Sequence, residues 1–469
     1  MLDRLEARAA LAKWLAERWG AREIVVSKVW KLSGGAIQEN WALDVSVRGG
    51  AKEGDYPLVL RTDAPSSIAL SHSRAEEFAL VSAAQAAGVK VPEPYLFCAD
   101  LSLLQRPFYL MARVDGLALG PKVVKDRTWG GDRRALLEDL GVQLGRIHKI
   151  TPQTHDFPFL EAAPENSARA ALDALRRHLD ALGRRFPVLE WGMAWLDRNI
   201  PGEQGDVVLS HRDFRTGNLM LNADGLAAIL DWEFAGWSDP AEDIGWFSAA
   251  CWRFSRRDLD GGGLGALEDF LRGYRRETGR GIDPDRLAFW QAYAHLRWAV
   301  IALQQGERFL SGAEEAIEPA LIGRRAVEME WDLLTLTPPV DRSDLEALPE
   351  LRGIDVPTER DLLRIADRTL RDDLIPALPS EKRLAGLMIA NALGIVRRSL
   401  AEPSGGGGDR ALSEGLRAGR VPMGPKLWLR LRDDTERRLT VANPRFLESA
   451  KAIPASGGDE RPLRSAKGG

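Results

Sequence analysis

The sequence predicts an α+β chain: a strand-rich first part, a mainly helical second part and a small all-α third part. Three observations carry this prediction. Short apolar runs rich in β-branched and aromatic residues crowd the first 114 residues. Apolar residues at helical spacing dominate from residue 133 to 334, interrupted where three short apolar runs bracket a polar motif. A Pro- and acid-rich stretch at 337–357 then leads into purely helical patterning.

Taken in order, the opening MLDRLEARAALAKWLAERWG is charged throughout, with apolar residues at helical spacing. That pattern predicts an amphipathic helix and not a secretion signal. EIVVSKVWKL (23–32), WALDVSV (41–47) and YPLVLRT (56–62) read as strands, the first two flanking SGGAIQEN. SRAEEFALVSAAQAAG (73–88) has helical spacing and closes on Gly88, a residue suited to a helix C-terminus. PEPYLFCAD and RPFYLMARV (106–114) are two further strands. RRALLEDLGVQLGRIHKI (133–150), SARAALDALRRHLDAL and VLEWGMAWLDRNI read as helices. DVVLS, LMLN and AAILD are the strands of this half. LAFWQAYAHLRWAVIALQQGERF places Trp, Tyr and Leu three and four residues apart, a stripe expected in helix–helix core. Beyond the linker, TERDLLRIADRTLRDDLIPAL, EKRLAGLMIANALGIVRRSLAE and PKLWLRLRDDTERRLTVANPRFLESA each read as one helix, with PSGGGGD (403–409) a flexible loop. These signals divide the chain into 1–115, 116–338, a linker at 339–355, a helical segment at 356–452 and a disordered tail at 453–469.

Composition narrows the function classes. The 469 residues are 45% apolar and 28% charged, with a formal net charge of −4. That balance argues against a dedicated binder of nucleic acid or of an anionic membrane. From Asp409 onward 13 Lys+Arg stand against 8 Asp+Glu, interspersed, as on a solvated face. Cys98 and Cys251 are far apart and lack CxxC partners, so no disulfide framework or zinc site is implied. No apolar run approaches the roughly 18 residues of a membrane span. A cytoplasmic protein is expected.

The chemistry concentrates at 209–218, LSHRDFRTGN, and at 227–237, AAILDWEFAGW. Asp213 follows the end of an apolar strand and can take a proton from an incoming hydroxyl. Asn218 offers a neutral oxygen ligand on the same loop, and Asp231 offers a charged one at the end of a neighbouring strand. Mg²⁺ takes few protein ligands and completes its shell with water and phosphate oxygens. One amide and one carboxylate therefore suit a magnesium–nucleotide site, with Asp213 off the metal but near the γ-phosphate. Positioning and charge neutralisation carry most of phosphoryl transfer to an alcohol.

SHRDFRTGNLML and AAILDWEFAGWSDPAEDIGWF resemble the catalytic core of the aminoglycoside phosphotransferase-like kinases, a branch of the protein-kinase-like fold. The resemblance spans roughly residues 23–335 and implies two lobes: a nucleotide clamp, then a catalytic and acceptor-binding lobe. It implies Asp213 as catalytic base, Asn218 and Asp231 as magnesium ligands, and His211 as a brace of the loop. Asp243 would hold that loop from below, and Glu233 is a candidate for a second metal. Gly34 and Gly35 sit where the family places its phosphate loop, and glycine lets backbone approach phosphate oxygens. Arg61 holds the phosphate-anchoring position where many relatives carry Lys. It keeps the charge but forks onto two oxygens. Glu77 would pair with it, with Glu76 the adjacent rival. FYLMARVDG (108–116) resembles the hinge that reads an adenine edge with backbone around Met111–Arg113. Arg212 makes the loop read HRD, and a solvent-facing or structural role is expected because Asp231 and Asp243 leave no room for a long activation loop.

The resemblance thus implies an ATP- and Mg²⁺-dependent phosphotransferase acting on the hydroxyl of a small molecule. The arginines at 253, 256, 257, 272, 275 and 276, with VLR and DWE, are more similar to the branch associated with acyl-CoA dehydrogenases, whose acceptors are hydroxyacyl groups. The alternatives are a non-catalytic nucleotide-binding scaffold and an aminoglycoside kinase. Residues 356–450 resemble a small helical domain found with such kinases. It is expected to serve packing, self-association or docking.

Overall fold

A five-stranded antiparallel sheet in the order β1-β2-β3-β5-β4 forms the N-terminal part. Its strands are β1 (Glu23–Lys31), β2 (Gln38–Arg48), β3 (Gly54–Asp63), β4 (Pro94–Cys98) and β5 (Phe108–Ala112). The computed structural model describes residues 2, 4–32, 38–63, 71–202, 206–311, 313, 317–339, 363, 366–368, 370–401 and 410–452. The glycine pair Gly34–Gly35, the linker from 340 to 355, most of TERDLLRIADRT, the loop 403–409 and the tail 453–469 lie outside these residues.

The helices, in chain order, are α1 (Leu5–Trp19), α2 (Arg74–Ala86), α3 (Leu101–Leu104), α4 (Gly120–Lys125), α5 (Arg133–Ile147), α6 (Ser167–Ala181), α7 (Pro187–Arg198), α8 (Pro240–Ser248), α9 (Leu267–Thr278), α10 (Pro284–Leu310), α11 (Ile317–Arg324) and α12 (Ala326–Leu336). Between α7 and α8 run β6 (Val208–Ser210), β7 (Leu219–Leu221), β8 (Leu226–Ile229) and β9 (Gly236–Ser238). β6 pairs with β9, and β7 with β8. β9 adds a strand to the three expected here, because three residues are too few to show a period.

The chain divides into two compact units. The first comprises Met1–Ser167, Gly205–Ser248 and Trp252–Asp283. In it α1 lays Leu11, Leu15 and Trp19, one per turn, against a buried cluster that includes Trp41, Leu43, Leu58 and Phe108 of the sheet. α2 begins at a capping box: the Ser73 hydroxyl accepts from the Glu76 backbone N–H while the Glu76 carboxylate accepts from that of Ser73. α5 and α9 cross at contact distance through two glycines. A Cβ on Gly141 would strike the Phe270 carbonyl, and one on Gly273 would strike that of Glu138. This close approach sets His148, one residue past α5, within 2.9 Å of the Tyr274 hydroxyl on α9.

The second unit comprises Ala168–Gln204, Ala249–Cys251 and Pro284–Gly469. Its C-terminal helices are Ser380–Ala401, Arg410–Arg417, Pro425–Ala442 and Pro444–Ala452. PKLWLRLRDDTERRLTVANPRFLESA is therefore two helices, not one. Pro444 cannot donate to the preceding turn, and the Asn443 side chain accepts from the Phe446 N–H at 3.1 Å to start the next helix. Val327 and Trp331 of α12 share a buried cluster with Leu439, Ala442 and Leu447. Glu330, 2% exposed, pairs with Arg438. Glu190 accepts from Arg176 at 2.7 and 2.9 Å and from Arg417 at 2.9 Å. No helix among the described residues is long and apolar enough to cross a membrane.

Replacing Gly273 tests the α5–α9 crossing. Alanine in a helix interior is normally worth about 1 kcal/mol over glycine. At Gly273 the added methyl meets backbone and forces the helices apart, so Gly273→Ala should destabilise the protein in urea unfolding. A gain in stability would show that the crossing tolerates a side chain.

Candidate active site

The site is assembled around a chain of alternating charges. Arg61, at the end of β3, is 8% exposed. It pairs with Glu77 of α2 at 2.9 Å and with Asp231 at 2.6 Å. Glu77, itself buried, also accepts from Arg74, whose Nε lies 2.9 Å from Asp63. Glu76 is occupied by the helix cap, so the structure selects Glu77 as the partner of Arg61. A guanidinium out of water needs opposite charges and saturated donors. The Arg61 cation is held well above its ordinary pKa: burial acts to lower it, and the Glu77, Tyr109 and Asp231 groups outweigh that effect.

Asp231 lies two residues past β8 with φ of 71°, and Arg212 has φ of 59°. Left-handed backbone at a residue with a Cβ costs about 1–3 kcal/mol and persists where surrounding bonds fix it. Those bonds converge on Leu230. Its N–H donates to the Asn218 carbonyl at 2.9 Å, and its own carbonyl accepts from His211 Nε2 at 3.1 Å. Burial raises the Asp231 pKa, but the Arg61 charge and hydrogen bond, with help from Arg215, hold it below the ordinary carboxylate value.

The 211–218 loop hangs on Asp243 of α8. One carboxylate oxygen accepts the His211 N–H at 2.7 Å, and the other accepts the Arg212 N–H at 2.7 Å. His148 Nε2 adds a third bond at 3.1 Å. Burial pushes the Asp243 pKa up, and His148, His211 and these donors bring it below the usual value. His211 is fully buried, and burial lowers its pKa despite three nearby aspartates. Its Nδ1 accepts the Asp213 N–H at 3.3 Å while Nε2 donates to Leu230. Arg212 donates to the Trp237 carbonyl at 2.9 Å.

Three side-chain donors meet the Asp213 carboxylate. Asn218 Nδ2 stands 2.5 Å from Oδ2, Trp246 Nε1 2.9 Å from Oδ1, and Arg215 Nε 2.9 and 3.2 Å from the two oxygens. Committing the Asn218 amide nitrogen to Asp213 leaves its carbonyl oxygen as the atom to offer a cation. With the Asp231 carboxylate it makes a hard-oxygen pair suited to Mg²⁺. Among the described residues, no three His, Cys, Asp or Glu side chains come together as a metal cluster. Glu233 is tied elsewhere. Gln38 donates to it at 2.6 Å, and burial with the Asp231 charge pushes its pKa up to about 8.

At the expected hinge, Met111 pairs with both Val59 of β3 and Pro94 of β4 inside the ladder. The Arg113 N–H donates to the Pro57 carbonyl at 2.8 Å, and its side chain pairs with Asp44 at 2.8 Å and lies 4.8 Å from the Trp30 ring. The structure thus brings Arg61, Glu77, His211, Asp213, Asn218 and Asp231 together, with Met111 and Arg113 at the sheet margin. Sequence reasoning passed over Gln38, Arg74, His148, Arg215 and Trp246. His148 and Trp246 each carried one signal, a polar-capable ring in an otherwise apolar helical run.

A family model described as "Phosphotransferase enzyme family" matches residues 29–290, more than half of the chain. The chain is 28% identical over 302 residues to acyl-CoA dehydrogenase family member 10 of Mus musculus, covering 60% of this chain and 27% of that protein. It is 24% identical over 277 residues to acyl-CoA dehydrogenase family member 11 of Homo sapiens, covering 56% of this chain and 35% of that protein. It therefore spans about a third or less of these relatives. A solved structure from Ralstonia eutropha JMP134, assigned to the aminoglycoside phosphotransferases, superposes with a TM-score of 0.54 at 22% identity. It covers 69% of this chain and 95% of that one, a likeness of fold.

The Asp243 hub has a signature in pH. Its folded pKa lies below the ordinary carboxylate value. The carboxylate therefore stabilises the fold fully above the ordinary carboxylate range, and that contribution is lost as pH falls through the depressed value. Asp243→Asn should cost about 3 kcal/mol in urea unfolding near neutral pH, because an amide NH2 then faces backbone donors. The gap from the unmutated protein should be flat above about pH 5 and shrink below about pH 4. A gap independent of pH would remove Asp243 from the role of charged hub.

Proposed function

The chain belongs to the phosphotransferase enzyme family, and from that premise we propose that it is an ATP- and Mg²⁺-dependent kinase of a small hydroxylated metabolite. The observation that carries this reading is the bridge of Arg61 between Glu77 and Asp231, with Asn218 and Asp213 on the adjoining loop. Arg61 anchors nucleotide phosphates, and Glu77 and Arg74 hold it in place. Asn218 and Asp231 hold Mg²⁺, which neutralises phosphate charge when bound. Asp213 orients the acceptor hydroxyl and takes its proton. His211 braces the loop. Gly34 and Gly35 are assigned to the phosphate loop from the sequence alone. With the Arg113 N–H committed to Pro57, recognition of the base by backbone falls to the carbonyl of Arg113 and the residues that follow it.

The acceptor we favour is a hydroxyacyl-CoA. Two observations support that choice: the relatives are acyl-CoA dehydrogenase family members, and Arg253, Arg256 and Arg257 after α8, with Arg215 on the 211–218 loop, give those segments a cationic character unsuited to a polycationic aminoglycoside. Residues 356–452 are assigned packing or docking, since every group named above precedes them.

Two variants separate the roles. Asp213→Asn should lower turnover by about 10²-fold or more in an ADP-release assay, with Mg·ATP affinity nearly unchanged. Wild-type turnover would take Asp213 out of the mechanism. Asp231→Ala should weaken Mg·ATP binding by about tenfold or more while leaving the circular dichroism spectrum intact. Superimposable titrations would refute its assignment. A panel of hydroxyacyl-CoAs, sugars and amino alcohols in the same assay identifies the acceptor class, and preference for a sugar or amino alcohol would overturn the acyl-CoA assignment.

A further inference from the structure

We propose that the C-terminal helices carry a binding site for a phosphoryl group, formed by Arg324 of α11 together with Arg397, Arg398 and Ser399 of the helix Ser380–Ala401. It lies wholly within the second unit and uses none of the groups assigned to the kinase reaction. Three contacts gather it. Arg324 Nη2 donates to the Ser399 hydroxyl at 3.3 Å, which sets the end of α11 beside the last turn of the longer helix. Arg398 Nε donates to the Val441 carbonyl at 2.6 Å, which fixes that guanidinium against the helix Pro425–Ala442. Arg397 Nη1 lies 3.9 Å from Asp367, whose other oxygen accepts from Arg371 Nε at 2.8 Å.

Charge in this cluster does not balance. Arg371 and Arg397 share the Asp367 carboxylate, and among the described residues no carboxylate pairs with Arg324 or Arg398. Burial lowers the Arg398 pKa, the Arg397 charge lowers it further, and Asp367 does not offset them. Partial burial and the Arg438 charge act the same way on Arg324. Other arginines of this unit are answered: Arg438 by Glu330, and Arg417 by Glu190. A half-buried guanidinium that lacks an acid and neighbours another cation destabilises the empty fold, a cost that fits a position kept for a ligand.

The donors select the class of ligand. One fork saturates a planar carboxylate, whereas a phosphoryl group offers three strong acceptor oxygens that several forks and a hydroxyl can share. Its charge of about −1.5 to −2 at neutral pH matches the two arginines left without an acid. The free ion and a phosphate ester share this chemistry.

The test is thermal unfolding and calorimetric titration of the full chain, without Mg²⁺ or nucleotide, in inorganic phosphate or glycerol 3-phosphate against sodium chloride of equal ionic strength. The unmutated chain should melt higher in either phosphate than in chloride, and the tighter of the two ligands distinguishes the free ion from an ester. Arg324→Gln and Arg398→Gln should each weaken binding by about tenfold or more. Each should also melt in chloride at least as high as the unmutated chain, since each removes an uncompensated charge. Arg398→Lys keeps the charge without the fork and should bind with intermediate affinity. It carries the test if the glutamine variant does not fold. Arg410→Gln, at an exposed arginine paired with Glu414, controls for net charge and should bind as the unmutated chain does. No stabilisation by either phosphate beyond that of chloride, or an equal loss in Arg410→Gln, overturns the site. Either result leaves the kinase reading standing, because no nucleotide is present.

Discussion

Two carboxylates 154 positions apart in sequence, Glu77 and Asp231, share one buried guanidinium. A lone charge at the depth of Arg61 would be prohibitive, so the fold around it is constrained to deliver both acids. That requirement fixes the docking of α2 against the sheet, through Arg74 and Asp63, and the approach of the 230–231 turn to β3. Gln38 and His72 reinforce the approach. Gln38 donates to the Glu233 carboxyl, and His72 bonds to the backbone of Glu233 and of Ala235 at 2.9 and 2.6 Å. The proposed phosphate-anchoring cation and the proposed metal ligand are thereby set in one network.

A second hub holds the loop through its backbone. Asp243 gathers two successive backbone N–H groups and the His148 ring, so the 211–213 backbone is held by a charge and not by a strand. His148 reaches that point only because α5 and α9 cross through Gly141 and Gly273. The strained φ angles of Arg212 and Asp231 are tolerated because both flanks of each are pinned. Removing side chains where helices cross is thus linked to the presentation of the Asp213 carboxylate, the proposed base.

The same logic separates structural from chemical charge. Glu190 and Glu330 are as buried as the site residues, yet each answers arginines within its own unit and lies off the 211–231 loops. Glu233, pressed by burial and by Asp231, holds its proton near neutral pH and accepts from Gln38, which suits a strut better than a ligand for a second cation.

The sequence by itself determined the elements and the chemical inventory. Alternation and helical spacing located the sheet strands and most helices, because burial on one face imposes a period that survives in one dimension. The HRD and LDWE segments announced Asp213, Asn218 and Asp231, because their spacing is fixed by short strand ends. Only the tertiary structure decided between Glu76 and Glu77, since both start α2 and only their direction differs: one caps the helix, the other faces Arg61. It decided the break at Asn443–Pro444 inside an otherwise periodic run, where a proline overrides apolar spacing. It alone brought His148 and Trp246 to the loop and set Arg215 between Asp213 and the Trp252 ring. Their contacts span up to 95 positions and depend on glycine-permitted helix approach and on aromatic stacking, neither of which leaves a period or a fixed spacing in the chain.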